Sequence, residues 1–149
     1  MTTADVLFKL PYSEPFLFVD DILHIDDEGI VGTYTFRQDL FFYKGHFKDN
    51  PVTPGVILTE TMGQIGLACL GIYILRLGRE DPVPFISLTS NDVHFLKPVF
   101  PGEKVTVTSK KAYFRFGKLS CKVSMENENG EVVCKGIIMG MIIQAKHGQ

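Results

Sequence analysis

The sequence predicts an α+β fold: a curved antiparallel sheet of six strands wrapped around one long central helix. Three observations lead there. Beyond its first turns the segment from Val56 to about Leu77 is apolar all round, which marks a helix enclosed by protein. In the second half, Val105 and Val107 alternate with Thr106 and Thr108, and Leu119, Cys121, Val123 and Met125 alternate with Ser120, Lys122 and Ser124, the period of two expected of half-buried strands. Turn-forming residues separate these runs at hairpin spacing.

Composition bounds the function classes. A chain of 149 residues with 45% apolar content supports one domain, 1–149, with a core that needs neither disulfides nor metals. The net charge of -2 gives no electrostatic grip on nucleic acid, and there is no recognition-helix motif or basic stripe, so a DNA-binding regulator is disfavoured. The start, Met1-Thr2-Thr3-Ala4-Asp5, lacks a signal-peptide pattern. The longest apolar run, Ile65 to Leu75, is shorter than the roughly 20 residues a bilayer requires. Cys69, Cys121 and Cys134 form no C-x-x-C pair and lie in apolar periodic segments, as reduced core thiols of a cytoplasmic protein do; no metal site or cofactor is expected.

Taken in order, Thr3 to Leu10 reads as a short helix capped by Thr3. Phe16 to Ile25 and Ile30 to Phe36 read as an antiparallel pair joined through Asp26-Asp27-Glu28-Gly29. The loop from Arg37 to Pro54 carries Phe41, Phe42, Tyr43 and Phe47, an aromatic load that implies packing. Thr53-Pro54-Gly55 reads as a helix start with Thr53 as cap and Pro54 in the first position, and Gly78 as its stop. Gly63, Gly66 and Gly71 within that helix imply close approach of other backbone. Phe85 to Leu96 is a strand. With the strands that follow it, the second half makes an antiparallel meander, with a hairpin turn at Arg115-Phe116-Gly117-Lys118 and a type I′ turn at Asn129-Gly130 before a last strand from Glu131 to Gln144.

Two residues stand out chemically. Glu60 lies in the first turns of a buried helix, where a carboxylate must be paired, hydrogen-bonded or protonated; Gln64, one turn along the same face, is placed to orient it. His46 lies on a Gly- and Pro-punctuated aromatic loop just ahead of that helix, whose open N–H groups can hold developing negative charge. His24 and His94 fall in strand-like runs and His147 in the tail, and take a structural reading.

The order Leu10-Pro11, Pro15-Phe16-Leu17-Phe18-Val19-Asp20, Gly45-His46-Phe47, Pro51, Pro54-Gly55-Val56, Glu60, Met62 and Gln64 closely resembles the β-hydroxyacyl-acyl carrier protein dehydratases of bacterial fatty acid synthesis. Val93-His94-Phe95-Leu96-Lys97-Pro98-Val99 and Pro101-Gly102-Glu103 are similar to that family's motif after the central helix. The resemblance implies the hot-dog fold, with His46 of one subunit facing Glu60 of a two-fold partner, as a dimer or a trimer of dimers. Glu rather than Asp at position 60 resembles the branch that only dehydrates. Where the family has Pro-Gly directly after His-Phe, this chain has Lys48-Asp49, with no change in loop length.

By this resemblance, His46 takes the C2 proton of a 3-hydroxyacyl thioester and Glu60 gives a proton to the departing C3 hydroxyl. The Gly55 N–H polarises the thioester carbonyl, Gln64 steadies Glu60, and Phe47 and Val56 help line the substrate site. The expected partner is an acyl carrier protein, with Lys44, Lys48, Arg76, Arg79 and Lys97 as candidates to meet its acidic surface. Two alternatives are a hot-dog acyl thioesterase, against which the His46-Phe47 loop argues, and a non-catalytic acyl-binding or scaffold subunit, for which Lys48-Asp49 is the hint.

Overall fold

A computed structural model describes residues 1–144; His147 lies outside the described residues. Helix α1 (Thr3–Lys9) leads into strands β1 (Asp21–Asp26) and β2 (Gly29–Thr35), then a 3₁₀ turn at Phe41–Lys44. The central helix α2 (Gly55–Ile74) follows, then β3 (Phe85–Phe95), β4 (Lys104–Arg115), β5 (Lys118–Glu126) and β6 (Val132–Ile143). All six strands pair antiparallel in the order β1-β2-β4-β5-β6-β3. Register irregularities in β1, β3 and β4 bend and twist the sheet locally.

Inward-facing Val105, Val107, Leu119, Cys121, Met125 and Ile138 meet Met62, Ile65, Leu67, Ala68 and Leu70 of α2, all fully buried or nearly so. Each large aliphatic side chain so buried contributes about 1.5–3 kcal/mol. With 20 residues, α2 is long and apolar enough to cross a bilayer, but 83% of its apolar window is buried within the protein, as in the core helix of a globular fold. The three cysteines are free and buried, and burial raises each thiol pKa, to about 11 at Cys121 and about 12 at Cys134.

The structure differs from the sequence reading at identifiable points. Thr2, not Thr3, caps α1, in a reciprocal pair with Asp5. Residues Phe16 to Asp20 precede β1 rather than belonging to it, because the Gln64 side chain takes the hydrogen bonds of Phe16 and Phe18 that a partner strand would have taken. Pro54 is the N-cap of α2; the Thr53 hydroxyl is engaged with Tyr43 Oη (2.6 Å). At the other end α2 stops at Ile74, where Arg76 adopts a left-handed φ of 53°. The Leu77 and Arg76 N–H groups reach back to Ile72 and Tyr73, a Schellman closure that comes before Gly78. Arg76 is held there by Asp27 (3.0 Å) and by stacking on Tyr73 (4.3 Å).

The type I′ geometry falls at Phe116-Gly117, with φ of 50° and 78°. At Asn127–Glu131 only Gly130 is left-handed, in a longer hairpin loop organised by the Asn127 side chain. Residues Gln64–Cys69 form a widened π-type stretch inside α2, and the Ser109 hydroxyl donates to its Gly66 carbonyl (2.8 Å). The helix glycines face side chains rather than backbone: a Cβ on Gly66 would meet Ser109 and Val123 at 3.1 Å, and one on Gly71 would collide with Ile142.

Only β4-β5-β6 is a meander. Strand β3 passes to the far edge and pairs with β6, where Gly136 opposes Val93. A Cβ at Gly136 would lie 2.0 Å from the Asp92 carbonyl oxygen, which is backbone and cannot step aside. Gly136→Ala is therefore expected to cost about 1–3 kcal/mol by overpacking, read as a lowered midpoint in thermal denaturation. An unchanged midpoint would show that the β3–β6 contact is looser than that spacing implies.

Candidate active site

The His46 loop is a closed turn. Phe47 and Asn50 exchange backbone hydrogen bonds (3.1 Å each way), and the Val52 N–H donates to His46 O (2.8 Å). Lys48 and Asp49 occupy the two central positions of this turn without a left-handed φ, which suits non-glycine residues and explains how Lys-Asp can replace Pro-Gly at the same length. The His46 Nδ1 atom is 2.9 Å from the Val52 carbonyl, which can only accept, so Nδ1 carries the hydrogen. In the neutral ring Nε2 then holds the lone pair. Phe47 stacks on the imidazole (4.1 Å between centroids, 25° between planes) and covers one of its faces.

His46 opens onto a depression of about 430 Å³ whose walls include Val52, Gly55, Leu58, Phe95 and Leu96. The start of α2 forms one side. Ile57 and Leu58 N–H both donate to Pro54 O, leaving the Gly55 and Val56 N–H groups without acceptors inside the helix. The bare face of Gly55 is taken up by the Phe95 ring, 3.3 Å from where a Cβ would stand, so packing as well as access favours glycine here. Val56, 77% exposed, is not among the residues around this depression, and neither is Phe47.

Glu60 faces a different cavity, of about 330 Å³, with Tyr12, Phe16, Gly63, Ile86 and Leu88. Gln64, fully buried, spends its whole amide here. Its Nε2 donates to Glu60 Oε2 (3.0 Å) and to Phe16 O (3.0 Å), and its Oε1 accepts from Phe18 N–H (2.8 Å). The carboxylate is thus tied to α2 and to the loop ahead of β1. Within one chain, then, the structure joins Glu60 to Gln64 and His46 to Gly55, and puts the two groups in separate depressions. Two neighbours carry no signal in the sequence: the Val52 carbonyl, which side-chain reasoning does not reach, and Tyr12, which directly follows Leu10-Pro11. A further depression of about 430 Å³ on the sheet, bordered by Lys110, Lys122 and Lys135, contains neither His46 nor Glu60.

Burial raises the Glu60 pKa above the ordinary carboxylate value, and the Gln64 hydrogen bond, which favours the charged form, offsets part of that rise. A carboxyl that holds its proton longer in the folded chain supports folding fully at low pH. That support declines as pH climbs from the unfolded to the folded pKa. Glu60→Gln, which keeps the shape and removes the charge, is expected to raise the thermal midpoint at neutral pH and to leave it unchanged below the ordinary carboxylate range. An equal change at both pH values would assign the effect to packing instead.

The model of the FabA-like domain family matches residues 10–139. The chain belongs to the FabA-like domain family. This FabA-like chain is 35% identical over 147 residues to the 3-hydroxyacyl-[acyl-carrier-protein] dehydratase FabZ of Herpetosiphon aurantiacus, spanning 96% of this chain and 99% of that protein. It is 33% identical to the FabZ dehydratase of Bartonella quintana, over 95% of this chain and 90% of the relative. Among solved structures, the dehydratase heterocomplex ApeI:P from Xenorhabdus doucetiae matches with a TM-score of 0.76 at 15% identity, covering 96% of this chain and 92% of that one. A hypothetical thioesterase with coenzyme A from Streptococcus pneumoniae matches at 0.63 and 14%, covering 85% and 87%. The structural likenesses establish the hot-dog fold, with α2 enclosed by the six-stranded sheet; the sequence relatives place the chain with the FabZ branch.

Proposed function

We propose that this FabA-like protein removes water from 3-hydroxyacyl thioesters carried on acyl carrier protein, giving trans-2-enoyl thioesters for fatty acid synthesis, in the cytoplasm. The observation that carries this reading is a complementary pair on one chain: an imidazole whose Nδ1 is tied to a carbonyl, and a partly buried carboxyl inclined to keep its proton. In the reaction, His46 Nε2 takes the C2 proton. The electron pair moves toward the thioester carbonyl, whose oxygen accepts a hydrogen bond from the Gly55 N–H at the open start of α2. The C3–O bond then breaks as Glu60 delivers its proton, water leaves, and the proton on His46 returns the site to its starting state through Glu60 or solvent.

Each depression is half of such a site, and a homodimer would complete it. Strand β3 supports that arrangement: it is an edge strand of 11 residues, exposed along nearly its whole length, and it carries Phe85 (69% exposed), Leu88 and Phe95. A long exposed edge of this kind, with unpaired backbone groups along its outer side, is a template for pairing with another chain. Pairing two copies across a two-fold axis would let His46 of one meet Glu60 of the other. For the carrier, Lys44 and Lys48 flank His46 and have no ion-pair partner among the described residues. Arg76, Arg79 and Lys97 are engaged with Asp27, Asp5 and Glu131 and are the poorer candidates.

The test is to incubate the purified protein with a trans-2-butenoyl thioester and follow hydration to the 3-hydroxybutyryl product, and the reverse reaction. Approach to the same equilibrium mixture from both sides is expected. Release of free thiol without that interconversion would identify a thioesterase, and binding without turnover an acyl-binding subunit.

A further inference from the structure

The cavity that receives Glu60 contains one other polar side chain. Phe16, Gly63, Ile86 and Leu88 make its apolar walls, and Tyr12, from the loop between α1 and β1, completes it. The Tyr12 ring is part-buried and packs against the hydrophobic core, so its position is set by the fold. Its phenol has no hydrogen-bond partner among the described residues, whereas the Glu60 carboxyl is already held by Gln64. Pockets for largely apolar ligands orient them by a few such polar groups set into apolar walls. An open O–H donor sharing an apolar cavity with a proton-donating acid suits a ligand that brings one oxygen into an otherwise hydrocarbon chain.

We propose that the Tyr12 hydroxyl binds the C3 oxygen of the 3-hydroxyacyl group and holds it for Glu60. This inference rests on the dehydratase reading above and deepens it. Tyr12 donates a hydrogen bond and transfers no proton. Burial and the neighbouring Glu60 charge both raise the phenol pKa above its ordinary value, which keeps the donor in place throughout turnover. As the C3–O bond lengthens, charge develops on that oxygen, and a fixed donor stabilises it until the Glu60 proton arrives. A saturated acyl chain of the same length has no oxygen at C3 and gains nothing from Tyr12. The residue therefore favours hydroxylated over saturated thioesters in the same cavity.

Tyr12→Phe removes the hydroxyl and keeps the ring, and the comparison is made in a His46→Ala background so that the bound substrate persists. Titrated with 3-hydroxybutyryl and butyryl thioesters, the double variant is expected to bind the hydroxylated ligand about tenfold more weakly than His46→Ala alone and the saturated ligand equally well. In the otherwise native protein, Tyr12→Phe is expected to lower kcat/KM by at least that factor. Equal losses for both ligands would make Tyr12 a packing residue, and no loss for either would remove it from the site; both outcomes overturn the proposal while leaving the dehydratase reading intact. If His46→Ala itself still converts the hydroxylated thioester at the native rate, the underlying reading fails, and this inference with it.

Discussion

His46→Ala is expected to abolish nearly all interconversion of 3-hydroxybutyryl and trans-2-butenoyl thioesters, lowering turnover by about 10²–10⁴-fold. The size of the effect follows from how the imidazole is held. Val52 takes the hydrogen on Nδ1 through its carbonyl, Phe47 covers one face of the ring, and the closed turn from Phe47 to Asn50 fixes the backbone that carries them. The side chain reaches the depression in the tautomer that accepts a proton, at little reorganisation cost. Alanine removes that acceptor and leaves the turn's backbone hydrogen bonds in place. Folding should be little changed, so circular dichroism and the thermal midpoint separate lost chemistry from lost structure. Turnover within a few-fold of the native protein would take His46 out of the mechanism.

Glu60→Gln is expected to reduce turnover by a similar factor, about 10²–10⁴-fold, because an amide cannot supply the proton that the departing oxygen requires. Its profile differs from that of His46→Ala in one informative way: catalysis falls while neutral-pH stability rises, since a partly buried ionisable carboxyl has been replaced by a neutral isostere that can still accept the Gln64 hydrogen bond. Steady-state rates together with thermal midpoints at two pH values check both halves. Because the Glu60 pKa is raised, native activity should also decline as pH climbs through that value and the acid loses its proton. A rate that stays flat across that range, with Glu60→Gln near native turnover, would place the proton donor elsewhere.

The parts of this architecture that were legible in the sequence are those that repeat a local pattern. Alternation in β4 and β5 and all-round apolarity in α2 each write their geometry into neighbouring residues, and each lies where expected, whereas the start of α2 falls one residue later, with Pro54 as its cap. What was not legible depends on residues distant in the chain. Strand β3 pairs with β6 rather than with its sequence neighbour β4, and the close approach of Asp92 and Val93 to Gly136 joins residues more than forty positions apart. Phe16 to Asp20 has strand-forming residues, yet the Gln64 amide claims the Phe16 and Phe18 backbone groups first. Arg76 ends α2 in a conformation usually left to glycine, and its guanidinium is held there by Asp27, which lies far from it in sequence, as well as by the nearby Tyr73 ring. At the site, Glu60, Gln64 and His46 could be named from residue type and position, whereas Tyr12 could not. Its relevance comes from sharing a cavity with a carboxylate 48 positions away, which no local pattern encodes.

The central proposal is that imidazole and acid act on one acyl group from opposite protomers, and mixing two inactive variants tests it. His46→Ala and Glu60→Gln proteins, each dead alone, are unfolded together and refolded, with different tags to confirm that hybrid dimers form. A hybrid carries one site with both native groups and one with neither. Random pairing should therefore restore about one quarter of native activity. Hybrids that form in full yield and stay inactive would contradict the shared site.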